Sequence, residues 1–119
     1  MPKLKRFIKS LKHALNGLRY AMRESNFQIE IFLGCGAMFM AFVFNISGWE
    51  SAVLILTILL VLVLEIINTI FERMIDIQNP RMHPYAKVVK DMMAGAVLLA
   101  CLGSLLVGAV IFLPYLGMG

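Results

Sequence analysis

Apolar and polar positions fall in blocks along this chain, and the blocks predict four helices. The run FQIEIFLGCGAMFMAFVFNI, residues 27–46, is almost continuously apolar. A second run begins near Glu50, passes through AVLILTILLVLVL and continues to about Asp76. A third, MMAGAVLLACLGSLLVGAVIFLPYL, covers residues 92–116. Each approaches or exceeds the roughly 20 residues that cross about 30 Å of hydrocarbon, so three transmembrane helices are expected. The middle one is longer, and its polar end is expected to protrude into the interface or cytosol. Residues 1–24 are patterned differently. Leu4, Phe7, Ile8, Leu11, Leu15, Leu18 and Met22 recur at helical spacing, while Lys3, Lys5, Arg6, Lys9, Lys12, Arg19 and Arg23 hold the other face. That pattern predicts an amphipathic helix lying on an anionic leaflet.

Composition agrees with this reading. The 119 residues suffice for a single domain, taken as 1–119. They are 61% hydrophobic and 15% charged, against about 25% charged in a soluble domain. With a mean hydropathy of +0.85, the expected fold is an all-α integral membrane protein. No apolar core with a small-residue cleavage site follows the basic start, so no cleaved leader is expected. Cys35 and Cys101 both lie in apolar runs. They are expected as buried thiols, not as a disulfide or metal pair.

Charge sets the expected topology. Seven of the eleven Lys and Arg residues precede the first span, and Arg73, Arg81, Lys87 and Lys90 lie in or around the connection between spans two and three. The NISGWES turn has none. Positive charge stays inside, so the N-terminus is expected in the cytoplasm and the C-terminus outside, with Trp49 and Tyr115 at the outer interface. This basic excess suits a membrane surface, and no nucleic-acid partner is expected.

The second span carries the chemistry. Glu65, Asn68, Glu72 and Asp76 are spaced three, four and four apart. At about 100° per residue they form one ridge of a helix, and apolar residues cover the other sides. Glu24 and Glu30 sit at the same end of span one, and Lys90 and Asp91 at the same end of span three. Carboxylates gathered this way repel unless a cation lies among them. Mg²⁺ is held by one or two carboxylates plus substrate phosphates, and a nearby lysine can hold phosphate oxygens. The pattern therefore points to phosphoryl transfer from cytoplasmic ATP to a lipid at the interface. No Walker sequence or kinase glycine loop is present, so the nucleotide site is of another design. In span three, Ala96, Ala100, Ser104 and Gly108 make a small-residue stripe suited to helix packing.

Three segments resemble one family. They are Glu65-Ile-Ile-Asn68-Thr-Ile-Phe-Glu72-Arg-Met-Ile-Asp76, HPYAKVVKDMMAGAVL at 83–98, and GLRYAMRESNF at 17–27. In this order they resemble the small bacterial diacylglycerol kinases over nearly the whole chain. The HPYAKVVKD form and the IFLP ending resemble the Gram-positive branch, which is associated with undecaprenol phosphorylation. The resemblance implies a homotrimer in the bacterial inner membrane, with active sites shared between subunits and MgATP as donor. It implies Glu65 as general base, with Asn68 in the same catalytic constellation, and Glu24 and Glu72 as metal ligands. Arg6, His13, Arg81, Met82, His83, Lys90 and Asp91, with the two metal glutamates, would contact ATP. Glu30, Asp76 and Ala94 are candidates for lipid or structural contacts. The chain departs from the family pattern in having one residue fewer between Gly17 and Phe27 and in reading NTIFE where NTAIE is usual. The expected acceptor is undecaprenol, with diacylglycerol as the alternative. From other classes, a proton-coupled transporter would need carboxylates near midplane, whereas every acid here except Glu50 lies toward one face. A holin-like protein would need the charges only for topology.

Overall fold

A computed structural model of the chain describes residues 1–78 and 84–117. The expected nucleotide contacts Arg81, Met82 and His83 lie outside the described residues. Four helices follow in order: α1, Pro2–Ala21; α2, Ser25–Phe44; α3, Gly48–Gln78; and α4, Pro84–Phe112. A short 3-10 turn, Pro114–Leu116, closes the described chain. Helices α2, α3 and α4 are each long and apolar enough to cross a membrane.

The helix ends follow local chemistry more closely than hydropathy. α4 starts at Pro84, about two turns before the apolar run at Met92. Proline suits a first helical turn because its φ is already helical and it has no N–H to leave unpaired. The extra turns carry Lys87, Lys90 and Asp91. At the other end α4 stops at Phe112, short of the expected Leu116. Pro114 cannot continue an α-helix, and the chain tightens into the 3-10 turn before Gly117 at φ +80°. Between α2 and α3, Asn45 takes the left-handed conformation at φ 52°. The Ile46 N–H then donates back to the Ala41 carbonyl at 3.2 Å, a Schellman-type ending. Ser47 and Glu50 begin α3 with a reciprocal cap. The Glu50 N–H donates to Ser47 Oγ at 3.1 Å, and the Ser47 N–H donates to Glu50 Oε1 at 3.2 Å.

The main apolar cluster sits at this loop end. Ala41, Ile46, Leu54, Ile111 and Phe112 are buried together. The Phe44 ring lies 6.2 Å from Phe112 and 6.3 Å from Tyr115. The Tyr115 hydroxyl donates to Glu50 Oε1 at 2.5 Å, tying the end of the chain to the α3 cap. That bond holds the Tyr115 phenol above its ordinary range.

Much apolar surface stays uncovered. A compact soluble chain of 13.3 kDa exposes about 6,400 Å², whereas this one exposes 9213 Å². Its radius of gyration is 18.0 Å, against about 13.5 Å for a globule of this length. Phe32, Phe42, Leu99 and Val110 all face outward. Cys35 does too, so the expectation of a buried thiol is corrected there: apolar residues of a spanning helix face lipid as often as protein. Cys101 is half-buried, and both thiols are free.

Helices α2 and α3 approach closely at Gly34. A Cβ added at Gly34 on α2 would stand 2.9 Å from Ile58 Cγ2 on α3. We expect Gly34→Val to destabilise the protein in detergent by about 1–3 kcal/mol, and Ile58→Ala in the same chain to restore part of the loss. Thermal unfolding followed by circular dichroism checks both.

Candidate active site

The polar ridge of α3 grades from buried to exposed. Glu65 is 3% exposed and Asn68 6%, Glu72 is half-buried, and Asp76 is open to water. Glu65 and Glu72 lie about 10 Å apart along the axis. Thr69 turns inward on the same helix, its hydroxyl donating to the Glu65 carbonyl at 3.0 Å. Asn68 Nδ2 donates to Glu72 Oε1 at 3.2 Å.

Helix α2 closes over the deep part of the ridge. The Glu30 carboxyl and the Asn26 side chain lie close enough to Glu65 to interact with it. Glu24 and Glu72 are close enough to act on Glu65 through their charge. Two facing carboxyls repel unless a proton or cation lies between them. Among the described residues, two buried oxygens, Glu30 Oε2 and Asn68 Oδ1, have no hydrogen-bond partner. Asn26 was not among the residues expected at the site, although it lies in the SNF segment that begins α2. Glu30 turns out to be the direct neighbour of Glu65.

Ion pairs tie the charged end together. Arg73 on α3 donates to Glu24, the residue that precedes α2. Lys90 Nζ on α4 donates to Asp76 Oδ1 at 2.8 Å. That pairing gives Asp76 a partner the ridge alone did not supply. Asp91 accepts from Lys87 at 2.8 Å within α4. Ala94 is exposed on α4. Arg6 and His13 are exposed on α1, which buries none of its residues.

The donor set fits a hard divalent cation. Glu24 and Glu72 offer carboxylate oxygens, and the unpartnered Asn68 Oδ1 offers a neutral one. Among the described residues no three His, Cys, Asp or Glu side chains gather into an all-protein metal site. Mg²⁺ suits that arrangement because it takes one or two carboxylates and completes its shell with phosphates and water.

Beside this site a groove of about 780 Å³ runs between the helices, lined by Glu30, Gly34, Ile58, Val61, Cys101 and Ser104 among others. Its walls are almost wholly apolar, with Glu30 at the ridge end.

The profile of the family described as prokaryotic diacylglycerol kinase matches residues 12–112. The chain belongs to that family. It is 37% identical over 114 residues to the undecaprenol kinase of Bacillus subtilis, covering 95% of this chain and 93% of that one. It is 38% identical over 107 residues to a diacylglycerol kinase of Synechocystis, covering 88% of this chain but only 61% of that protein's length. A diacylglycerol kinase of Haemophilus influenzae is 30% identical over 111 residues, 92% of this chain and 94% of its own. No solved structure matches at a significant level. The family is one of lipid kinases, which sets aside the transporter and holin-like readings.

Asp76→Asn should cost no more than about 1 kcal/mol, because the Lys90–Asp76 pair is largely open to water on the Asp76 side. A melting curve in detergent measures it; a larger loss would mean that the pair holds α3 to α4.

Proposed function

We propose that this family member transfers the γ-phosphoryl group of MgATP to a membrane lipid alcohol at the cytoplasmic face. The observation that carries the reading is the graded ridge of α3. A base for the lipid hydroxyl is hidden at apolar depth on the same helix as a carboxylate at the water edge. In this reading Glu65 removes the proton of the lipid hydroxyl as it attacks, and Glu30 and Asn26 hold the Glu65 carboxyl in place. Asn68 orients Glu72 through its amide. Glu24 and Glu72 would hold the metal. Mg²⁺, when bound, neutralises phosphate charge and orients the β- and γ-phosphates. Lys90 would leave Asp76 to meet phosphate oxygens.

The proposed acceptor is undecaprenol. The support is the Bacillus subtilis relative, which this chain matches over nearly its full length. Diacylglycerol is the second reading, favoured by the names of the Synechocystis and Haemophilus relatives. The protein is proposed to work as one domain in the bacterial inner membrane, N-terminus inside and C-terminus outside, with α1 on the cytoplasmic leaflet. We further propose a homotrimer with sites shared between subunits. Two things support that: the large uncovered apolar surface, and an α1 carrying Arg6 and His13 that buries none of its residues against its own chain.

Purified protein in micelles, given MgATP with undecaprenol or dioleoylglycerol, should form lipid phosphate faster on undecaprenol. Faster turnover of dioleoylglycerol would reverse the acceptor assignment and keep the chemistry. Glu65→Gln should lower turnover by about 10²–10⁴-fold with the fold intact, the range for loss of a general base. Glu24→Gln and Glu72→Gln should each shift the magnesium dependence to higher concentration.

A further inference from the structure

The reading above leaves Arg73 without a role. It follows Glu72 directly on α3, and its guanidinium binds the Glu24 carboxylate across 49 residues of sequence. Glu24 stands at the N-cap of α2 with extended backbone, φ −81° and ψ 129°, the geometry from which a side chain caps a helix. It makes no cap bond. Arg73 engages its carboxylate instead.

The pair is built to be broken. The Arg73 side chain is 69% exposed and that of Glu24 31%. An ion pair so open to water contributes roughly 0–1 kcal/mol. A guanidinium brings one delocalised charge to a carboxylate, whereas Mg²⁺ or Mn²⁺ concentrates two on a small ion that takes oxygen ligands directly. Lys90 is held in a parallel way by Asp76. In this state the protein's own side chains supply both charges of a metal–nucleotide complex, a cation at Glu24 and an anion at Lys90.

We propose that Arg73 is the internal counter-ion of the divalent-metal site, holding Glu24 until a divalent cation takes its place. This rests on the metal role proposed for Glu24 and Glu72. No covalent bond changes; the carboxylate exchanges one cation for another, and the guanidinium is released into water. The displaced guanidinium trades its Glu24 anion for water when metal arrives alone. When metal arrives with a nucleotide, the phosphates supply one. The exchange therefore disfavours free metal and favours the metal–nucleotide complex.

Binding of Mn²⁺ to the full-length protein in detergent, without lipid, tests this by electron paramagnetic resonance. Each titration is run alone and with a non-hydrolysable ATP analogue. Arg73→Gln should bind Mn²⁺ alone roughly two- to fivefold more tightly than wild type, the worth of an exposed ion pair, and gain less affinity from the analogue. Arg73→Ala should do the same, and Arg73→Lys should stay near wild type. Unchanged or weaker Mn²⁺ binding in the neutral variants, with binding in wild type that Glu24→Gln abolishes, overturns the counter-ion role and leaves the metal site standing. No Glu24-dependent Mn²⁺ binding in wild type, even with the analogue, overturns both.

Discussion

A carboxyl group at membrane depth must be hidden from lipid, and the packing of this chain answers to that requirement at Glu65. Only protein can shield such a group in hydrocarbon. Helix α2 crosses α3 there and offers Glu30 and Asn26, polar groups close enough to interact with Glu65. Gly34 makes the crossing possible, because any side chain at that position would strike Ile58. The buried polar group and the missing side chain thus lie along one α2–α3 seam. Elsewhere α2 and α4 bury Ala41, Ile111 and Phe112 at the loop end and turn residues such as Phe32, Phe42, Leu99 and Val110 outward.

The same seam explains the direction of the site. From Glu65 to Asp76 the ridge passes from protein interior to water, with Asn68 linking the buried part to Glu72. A lipid alcohol and a nucleotide live in different solvents. A single helix that spans both can serve both, because its rigid rise fixes the distance between the deep carboxylate and the shallow one. The apolar groove that ends at Glu30 lies on the lipid side of that line.

The ridge was legible in the sequence because it repeats at the helical period. Glu65, Asn68, Glu72 and Asp76 needed only the assumption of a helix to fall on one face. Other features were legible in principle. Ser47-Gly-Trp-Glu50 is a capping-box pattern, and Pro84 is a helix-start signal that places α4 earlier than hydropathy does. What sequence could not supply is pairing across long separations. Nothing in the run of residues joins Arg73 to Glu24 or Tyr115 to Glu50, since such contacts depend on how helices are set against each other. For the same reason Cys35 could not be assigned an inward or outward face from a run that is apolar on every side. Hydropathy located the helices, and side-chain spacing located the chemistry, but neither fixed the partners of individual charges.

The two ends of the bundle are fastened by different forces. At the α2–α3 loop, buried rings and aliphatic side chains pack with the Tyr115–Glu50 bond across them. At the opposite end, water-exposed ion pairs run beside the buried Phe27 and Ala86. Burial resists opening, whereas exposed charges exchange partners at little cost. The ion pairs are therefore the ties at that end that exchange partners most readily. Salt, which weakens charge pairs and leaves hydrophobic packing in place, would loosen these ties and leave the packing at the loop end unchanged.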